Sequence, residues 1–356
     1  MNKKVTFKEV AELAGVSTQT VSRVTNGGGG VNANTLKKVQ EAIDQLGYVP
    51  NKGAQLLVRK KAKVFGVITL EMTMEGASSI VNGIRLESEK AGYAISIAVS
   101  NSEEENLENA IRELKSQQVD VVFINLPVQK ELAENLVAKH KHLPFLFIDV
   151  SPEANVSQVA ADHYKGAVLI AELMLKHGRK RFALLNGPAH SHAANLRKQA
   201  WLDVLKPSDA EIVTVETGDW SAKSGYYETT KLLLQPQNID TLLVGNDQMA
   251  LGALRACAEQ KYAVPDQIAV TGFDDTVNSA YYNPPLTTVH QNFLEIGKQA
   301  VKQILIQLKN ENNISKMVIP VQLIERQSTM PVKENLNSVK EIKDLLQKIQ
   351  TLLPNS

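Results

Sequence analysis

Thr6-Phe-Lys-Glu-Val-Ala-Glu-Leu-Ala-Gly-Val-Ser-Thr-Gln-Thr-Val-Ser-Arg-Val-Thr-Asn26 contains two helix starts eleven residues apart. Thr6 and Glu9 have the spacing of a capping box, in which each side chain closes the other residue's free N–H, and Val5 and Val10 sit at the staple positions around it. Ser17 repeats the cap, with Val16 and Val21 as its staple. Two turns of helix and a sharp corner fit between the starts, and Gly15 suits the corner because it accepts positive φ. Ala11 and Ala14 allow close approach of the two helices, and Val10, Leu13, Val16, Val21 and Val24 are expected to build a small shared core. The segment reads as a helix-turn-helix.

The outward face of the second helix carries Thr18, Gln19, Ser22 and Arg23, a single stripe at i, i+1, i+4 and i+5. Gln can bond adenine bidentately, Arg can bond guanine, and Thr or Ser can reach bases or phosphates. Each good bidentate pair discriminates by about 1–3 kcal/mol. Thr6, Ser17, Thr20 and Asn26 flank the stripe and join it as candidate DNA contacts. The competing reading is a helical hairpin with a solvated polar face. Gly27 to Gly30 then form a loop, and a third helix is expected from the cap Asn32 to Gly47, with Leu36, Val39, Ile43 and Leu46 inward.

Charge supports the DNA reading. The net charge of the 356 residues is +1, but residues 1–61 hold ten Lys/Arg against four Asp/Glu, and residues 62–356 hold 29 against 34. A basic small domain on a mildly acidic body is the footprint of phosphate binding at one end. The single cysteine, Cys257, excludes an internal disulfide and fits a reducing, cytoplasmic setting. The basic start lacks the apolar stretch of a signal peptide, and no run is long enough to span a membrane.

From Lys63 onward, apolar runs alternate with helical stretches: Val64–Leu70, Ala94–Val99, Val119–Asn125, Phe145–Asp149, Phe182–Leu185, Ile212–Val215, Leu242–Asn246 and Ile268–Asp274. β-branched strands with intervening helices imply parallel sheets with right-handed crossovers. Eight runs over this length suit two α/β lobes better than one sheet. Ligands of open parallel sheets lie beyond the carboxyl ends of the strands, and four runs end there in Asn125, Asp149, Asn246 and Asp274. Each alone could equally be a helix cap; together they suggest a polar cleft. Arg197 would add a five-donor fork and Trp220 a flat apolar face, a set suited to a sugar's hydroxyl edge and C–H face. Core packing for Trp220 and a surface charge for Arg197 are the alternatives.

Near the end, residues 330–338 read as a polar linker. Val339, Ile342, Leu346, Ile349 and Leu353 follow at alternating spacings of three and four, a heptad seam that Leu345 and Leu352 widen. About eighteen residues cannot hold a helix alone in water, so the stripe is expected to be buried against another surface.

Val5 to Asn26 resembles the lactose/galactose repressor (LacI/GalR) family nearly throughout its pattern Val-Thr-x-x-x-Val-Ala-x-x-Ala-Gly-Val-Ser-x-x-Thr-Val-Ser-Arg-Val-x-Asn, and the resemblance extends over almost the whole chain. It implies an all-α helix-turn-helix domain at residues 1–50 and a hinge helix and linker at 51–61. A two-lobed, periplasmic-binding-protein-like core then occupies 62–329, followed by the linker and an oligomerisation helix at 339–356. Lobe 1 would take about 62–161 and 292–320, and lobe 2 about 162–291 and 321–329, with crossovers near 161, 291 and 320. In the family the hinge becomes helical on the operator and a leucine wedges into the minor groove. That role falls on Leu57, with Asn51 and Ala54 beside it, although residues 51–58 alone could be a plain linker.

The resemblance also assigns inducer contacts to Asn125, Asp149, Arg197, Trp220, Asn246, Asp274, Gln291 and Phe293, with Met74, Gly76, Ala77 and Ile80 as the small or apolar lining. The family's lactose-responsive branch differs at four places: a serine where Ala193 stands, a phenylalanine for Ala161, an arginine near Asn101 and Ser102, and a tyrosine for Thr18. The implied function is a repressor of a sugar-utilisation operon, lactose or another galactoside, acting on a pseudo-palindromic operator as a homodimer or, through the C-terminal seam, a homotetramer. It would need no metal or cofactor and perform no catalysis. Other readings are a different effector (another disaccharide, a phosphosugar, a purine, a partner protein), a transport binding protein, or a glycosidase using Asp149 and Asp274 as its carboxylate pair.

Overall fold

The computed structural model describes residues 5–25, 30–48, 63–235, 238–309 and 314–330. Two compact units divide the chain between Ala62 and Lys63.

In the first unit, α1 (Phe7–Ala14), α2 (Thr18–Thr25) and α3 (Ala33–Leu46) surround one core. The Thr6 backbone N–H and hydroxyl both donate to Glu9 Oε2, at 2.8 and 3.0 Å, so the α1 cap closes through the carboxylate. Gly15 ends α1 at φ 64°, a conformation in which a Cβ would be strained. The Thr20 N–H donates to Ser17 Oγ at 3.2 Å, and the Thr35 N–H to Asn32 Oδ1 at 2.8 Å. Val10, Ala11, Ala14, Val21, Val39, Ala42 and Tyr48 are buried together, and Phe7 packs on Tyr48 at 5.5 Å.

Two expected core leucines point outward: Leu13 is 47% and Leu36 41% exposed. Helical geometry explains both. Val10, Ala11 and Ala14 form the inward stripe of α1, and at 100° per residue Leu13 lies roughly 100° from its centre. In α3 the stripe centres on Val39, Ala42, Ile43 and Leu46. Leu36 lies about 60° from that centre, in the helix's first turn. Small alanines therefore occupy interior places expected for leucine.

The second unit contains two parallel sheets. The first has the order β11-β5-β4-β3-β1-β2, with β1 Val64–Thr69, β2 Ala94–Val99, β3 Val121–Val128, β4 Phe145–Val150, β5 Gln158–Ala161 and β11 Lys316–Ile319. The second has the order β7-β6-β8-β9, with β6 Arg181–Asn186, β7 Glu211–Thr217, β8 Thr241–Val244 and β9 Ala269–Thr271. β10 (Thr288–His290) and β12 (Gln322–Ile324) pair antiparallel. The eight runs seen in the sequence correspond to β1–β4 and β6–β9. The four others are only three or four residues long, too short to show a periodicity.

Both faces of each sheet are covered, as parallel pairing requires. On the first sheet, Phe65, Val67, Phe123 and Leu146 pack under α4 (Glu75–Lys90) and α11 (Phe293–Gln307). Ile68, Val122, Ile124 and Phe147 face α5 (Glu104–Ser116) and α6 (Lys130–Lys139). On the second sheet, Phe182, Leu184 and Leu243 meet α7 (His163–Lys176) and α8 (His192–Leu205), where Trp201 is fully buried. Ala183, Leu185, Leu242 and Val244 meet α9 (Ala222–Leu233) and α10 (Asp247–Glu259). The chain passes between lobes three times: from β5 into α7, from β10 into α11, and from β11 into β12. Among the described residues no helix is long and apolar enough to cross a membrane.

Because the first unit has its own small core, truncation inside it should be felt there alone. Val10→Ala is expected to cost that unit about 2 kcal/mol. In calorimetry the transition of the helical unit should move down while that of the large unit stays in place; equal movement of both would contradict separate cores.

Candidate ligand cleft and nucleic-acid surface

The strand ends of the two sheets face a cleft enclosing about 910 Å³, its open mouth included. All of the ligand candidates, Met74, Gly76, Ala77, Ile80, Asn125, Asp149, Arg197, Trp220, Asn246, Asp274, Gln291 and Phe293, line it.

Arg197, on α8, is only 4% exposed, which removes the surface-charge alternative. Its Nη1 donates to the Gly245 carbonyl, and Nη2 donates to His163 Nδ1 at 3.2 Å. Asp274 Oδ1 stands 3.9 Å away, and the guanidinium lies over the rings of Phe273 (3.8 Å) and Trp220 (5.3 Å). Nε has no partner among the described residues. Burial lowers the Arg197 pKa, opposed by Asp274, Asp149 and Asp247. Burial, with Arg197 and His192 adding to it, holds His163 well below 6.5 and therefore neutral.

Asp274 follows β9 with φ 138°, and Trp220 has φ 75°. Each such backbone costs about 1–3 kcal/mol and persists where surroundings over-determine it, commonly at functional sites. At Asp274 the surroundings are clear: its N–H donates to the Val289 carbonyl (2.8 Å), the Gln291 N–H to its carbonyl (3.1 Å) and Gln291 Nε2 to its Oδ1 (2.7 Å). Burial pushes the Asp274 carboxyl up to about 8, with nearby Arg197 lowering it and Asp247 raising it.

Asn246 is at once the N-cap of α10, accepting from the Met249 N–H at 2.9 Å, and a donor through Nδ2 to the Trp220 carbonyl at 3.1 Å. Trp220 thereby reaches the cleft with its ring laid on Gly187. A Cβ at Gly187 would stand 2.2 Å from Trp220 Cη2. Across the cleft, Asn125 Nδ2 donates to Thr69 Oγ1 (3.1 Å) and to the Ala77 carbonyl (3.0 Å).

Asp149 belongs to the first sheet but bonds to the other lobe. It accepts from Ser191 Oγ at 2.7 Å and from the Ala193 N–H at 2.9 Å, at the N-terminus of α8. A carboxylate there is stabilised by free N–H groups and the helix dipole. Away from the crossovers, two further bonds among the described residues join the lobes: Gln129 Nε2 to the His190 carbonyl (3.1 Å), and the Val277 N–H to Glu75 Oε1 (2.8 Å).

Sequence reasoning missed His163, Ser191, Glu75 and Thr276, which also line the cleft. His163 was findable as the second residue past a strand end, just after the cap Asp162, had the four-residue β5 been recognised. Ser191, N-cap of α8, carries the cap signal before a helix. Ala161 and Ala193 line the cleft as well. Asn101 does not; it lies in a separate hollow with Asn106 and Asn109.

In the helical unit, Thr18, Gln19 and Arg23 are exposed and Ser22 is half-buried, all on α2. Thr6 and Ser17 are exposed caps, and Thr20 shares a 2.9 Å bond with Ser17 Oγ. Asn26, Asn51, Ala54, Leu57 and the seam Val339, Ile342, Leu346, Ile349 and Leu353 lie outside the described residues.

Residues 6–51 match the bacterial regulatory proteins of the lacI family, and residues 171–329 match a periplasmic binding protein-like domain. Over 348 residues the chain is 35% identical to the lactose operon repressor of Escherichia coli K12, covering 98% of this chain and 97% of that protein. The chain belongs to the lacI family of bacterial regulatory proteins. In three dimensions it is similar to the lac repressor dimer bound to operator and the anti-inducer ONPF, with a TM-score of 0.85 at 36% identity over 92% of this chain and 100% of that one. It is also similar to the dimeric lac repressor with an 11-residue C-terminal deletion, with a TM-score of 0.71 at 33% identity over 75% and 98% of the two chains. Membership makes this chain a DNA-binding regulator and not an enzyme.

Two outcomes test the cleft's geometry. Gly187→Ala should displace the Trp220 ring and shift its emission to the red while buried Trp201 stays unchanged; an unaltered spectrum would refute the close contact. The second follows from Asp274. A carboxyl raised from 3.8 to about 8 in the fold binds its proton more tightly than in the unfolded chain. Its contribution to stability is then complete below about pH 4 and lost as pH rises through 8. The melting temperature of the large unit should therefore fall less between pH 6 and 8 in Asp274→Asn than in the parent; an unchanged slope would remove the effect.

Proposed function

We propose that this regulator is a repressor of a sugar-utilisation operon, released from a pseudo-palindromic operator when a galactoside-type sugar enters the cleft. The supporting observation is the convergence of Asp149, Arg197, Asn246 and Asp274 around the Trp220 ring in one cleft. Carboxyl oxygens accept from sugar hydroxyls, the amide and guanidinium donate to them, and the indole covers a C–H face. The contacts that these residues already make orient them without filling the space between them. A lactose operon repressor is among the relatives that match nearly the whole chain, and Ala161 and Ala193 leave room for a galactoside different from lactose itself.

The DNA-reading group is Thr18, Gln19, Ser22 and Arg23, with Gln19 and Arg23 suited to bidentate base contacts. Thr6, Ser17, Thr20, Asn26, Asn51, Ala54 and Leu57 complete the proposed interface, and the basic excess of residues 1–61 supplies phosphate contacts. A dimer would set two α2 helices in successive major grooves. The heptad seam at Val339, Ile342, Leu346, Ile349 and Leu353 would join two dimers into a tetramer; a relative with a C-terminal deletion is described as dimeric. The protein would act in the cytoplasm.

Coupling enters at Asp149. The same carboxylate lines the cleft and holds the N-terminus of α8 across it. A sugar hydroxyl at Asp149 competes with or reinforces that bridge, so occupancy and lobe arrangement are linked. By thermodynamic reciprocity operator must weaken sugar binding by the factor that sugar weakens operator binding.

The deciding experiment is operator retention with and without galactosides. Arg197→Ala should keep operator binding and lose release by sugar; release at parental sugar concentration would show the site to be wrongly assigned. In the same assay Gln19→Ala should weaken the specific operator by about 1–3 kcal/mol and leave binding to unrelated DNA nearly unchanged. Equal losses on both DNAs would take Gln19 out of base reading.

A further inference from the structure

We propose that Glu75 sets the charge selectivity of the cleft, turning away phosphorylated and carboxylated sugars and leaving uncharged and amino sugars as its ligands. The inference rests on the sugar reading of the cleft and narrows it. Glu75 is the first residue of α4 and lines the cleft beside Met74, Gly76 and Ala77. Its Oε1 accepts from the Val277 N–H of the other lobe at 2.8 Å. Val277 is 77% exposed, so this bond lies at the rim of the cleft. It holds the carboxylate in place and uses only one of the two oxygens.

Two features make the charge of Glu75 count. The first is the start of α4. A helix begins with free N–H groups and the positive end of its dipole, a place that attracts anions. Met74, the N-cap of α4, makes no side-chain cap bond, and Glu75 is the acid of that first turn. Its carboxylate offsets the dipole, so the helix start offers an anionic ligand little. The second feature is the balance of charge in the wall. Among the described residues, the ionisable side chains lining the cleft are Glu75, Asp149, His163, Arg197 and Asp274. His163 is neutral, and Asp274, pushed up to about 8, keeps its proton near neutral pH. Arg197 and Asp149 offset one another, which leaves Glu75 as the surplus charge. Its field reaches into the cleft, where it adds to the rise at Asp274. Arg197 is already committed to the Gly245 carbonyl and His163. Among the described residues no lysine or second arginine lines the cleft to hold a phosphate.

Calorimetric titration of the full-length chain with galactose, galactose 6-phosphate, galacturonate and galactosamine reads the selectivity. Each affinity is taken as a ratio to that for galactose within one protein, so a change common to all the sugars cancels. Glu75→Gln keeps an oxygen for the Val277 N–H and removes the charge. Like charges about 4 Å apart shift an equilibrium about fivefold even in water, and more where they are partly buried. In Glu75→Gln both anions should therefore gain at least about fivefold relative to galactose, and galactosamine should lose. Glu75→Asp retains the charge and should retain the parent's ranking. Added salt should narrow the discrimination of the parent more than that of Glu75→Gln. Ratios that do not move in Glu75→Gln, or anions that still show no binding to it, overturn the proposal, as does a parent that binds either anion more tightly than galactose. Equal loss of discrimination in Glu75→Asp and Glu75→Gln would show that the bond's geometry selects and the charge does not. If the parent binds none of these sugars, the galactoside reading itself fails and the selectivity proposal with it.

Discussion

A buried guanidinium organises the cleft-facing end of the second lobe. Removing a charge from water costs several kcal/mol unless its protons find partners, and the partners of Arg197 come from four separate strand ends. Gly245 follows β8, Phe273 and Asp274 follow β9, Trp220 follows β7, and His163 follows β5. Each loop is thereby drawn to one point. Asp274 Oδ1, at 3.9 Å, is too far for a hydrogen bond, and Nε is unpaired among the described residues. Arg197 is thus tied firmly enough to be ordered and loosely enough to gain from a ligand.

The strained backbone around it is held by a second buried acid. Asp247 is fully buried and accepts from Thr288 Oγ1 (2.6 Å), the Thr276 N–H (3.0 Å) and the Ser279 hydroxyl. These residues follow Asp274 and Asp275 in the chain, and Asp275 is pinned separately by Arg326 at 2.7 Å and His290 at 3.0 Å. The positive φ values at 274 and 275 are therefore supported from beneath. Burial raises the Asp247 pKa as it does that of Asp274. The cleft's electrostatics follow first from burial of these acids, with neighbouring acids adding to it.

Much of this was legible in the residues, for identifiable reasons. Capping boxes act over three residues, so Thr6, Glu9, Ser17 and Asn32 could be read locally. The polar residue at a parallel strand's end is a topological rule, so Asn125, Asp149, Asn246 and Asp274 could be grouped before any coordinates. What local pattern could not show was how far a helix stripe extends: Leu13 and Leu36 have the right chemistry and the wrong angle. Strands of three or four residues carry no period; β8 and β9 were read only because they lie within longer apolar runs, while β5, β10, β11 and β12 were hidden and, with β5, His163. The bridge from Asp149 to α8 joins residues more than forty apart and depends on the lobe spacing, which no sequence interval encodes.

On the proposed function, that bridge gives two separately packed lobes a means of switching. Away from the crossovers the direct bonds between lobes, among the described residues, are those of Asp149, Gln129 and Glu75. Hydrogen bonds of this kind contribute about 0.5–1.5 kcal/mol each, up to about 3 where one partner is charged. Coupling free energies between allosteric sites are typically about 1–3 kcal/mol, so the two scales match. A ligand need not break either lobe's core to change their arrangement; it need only bind differently before and after these few bonds rearrange. The Gln129 bond is exposed to water, which competes for it whatever fills the cleft. Asp149 is different because its oxygens belong to the bridge and to the cleft wall together. On the proposed function, a ligand contacting it would act on the lobe interface directly, and control of DNA by a small molecule would begin at that carboxylate.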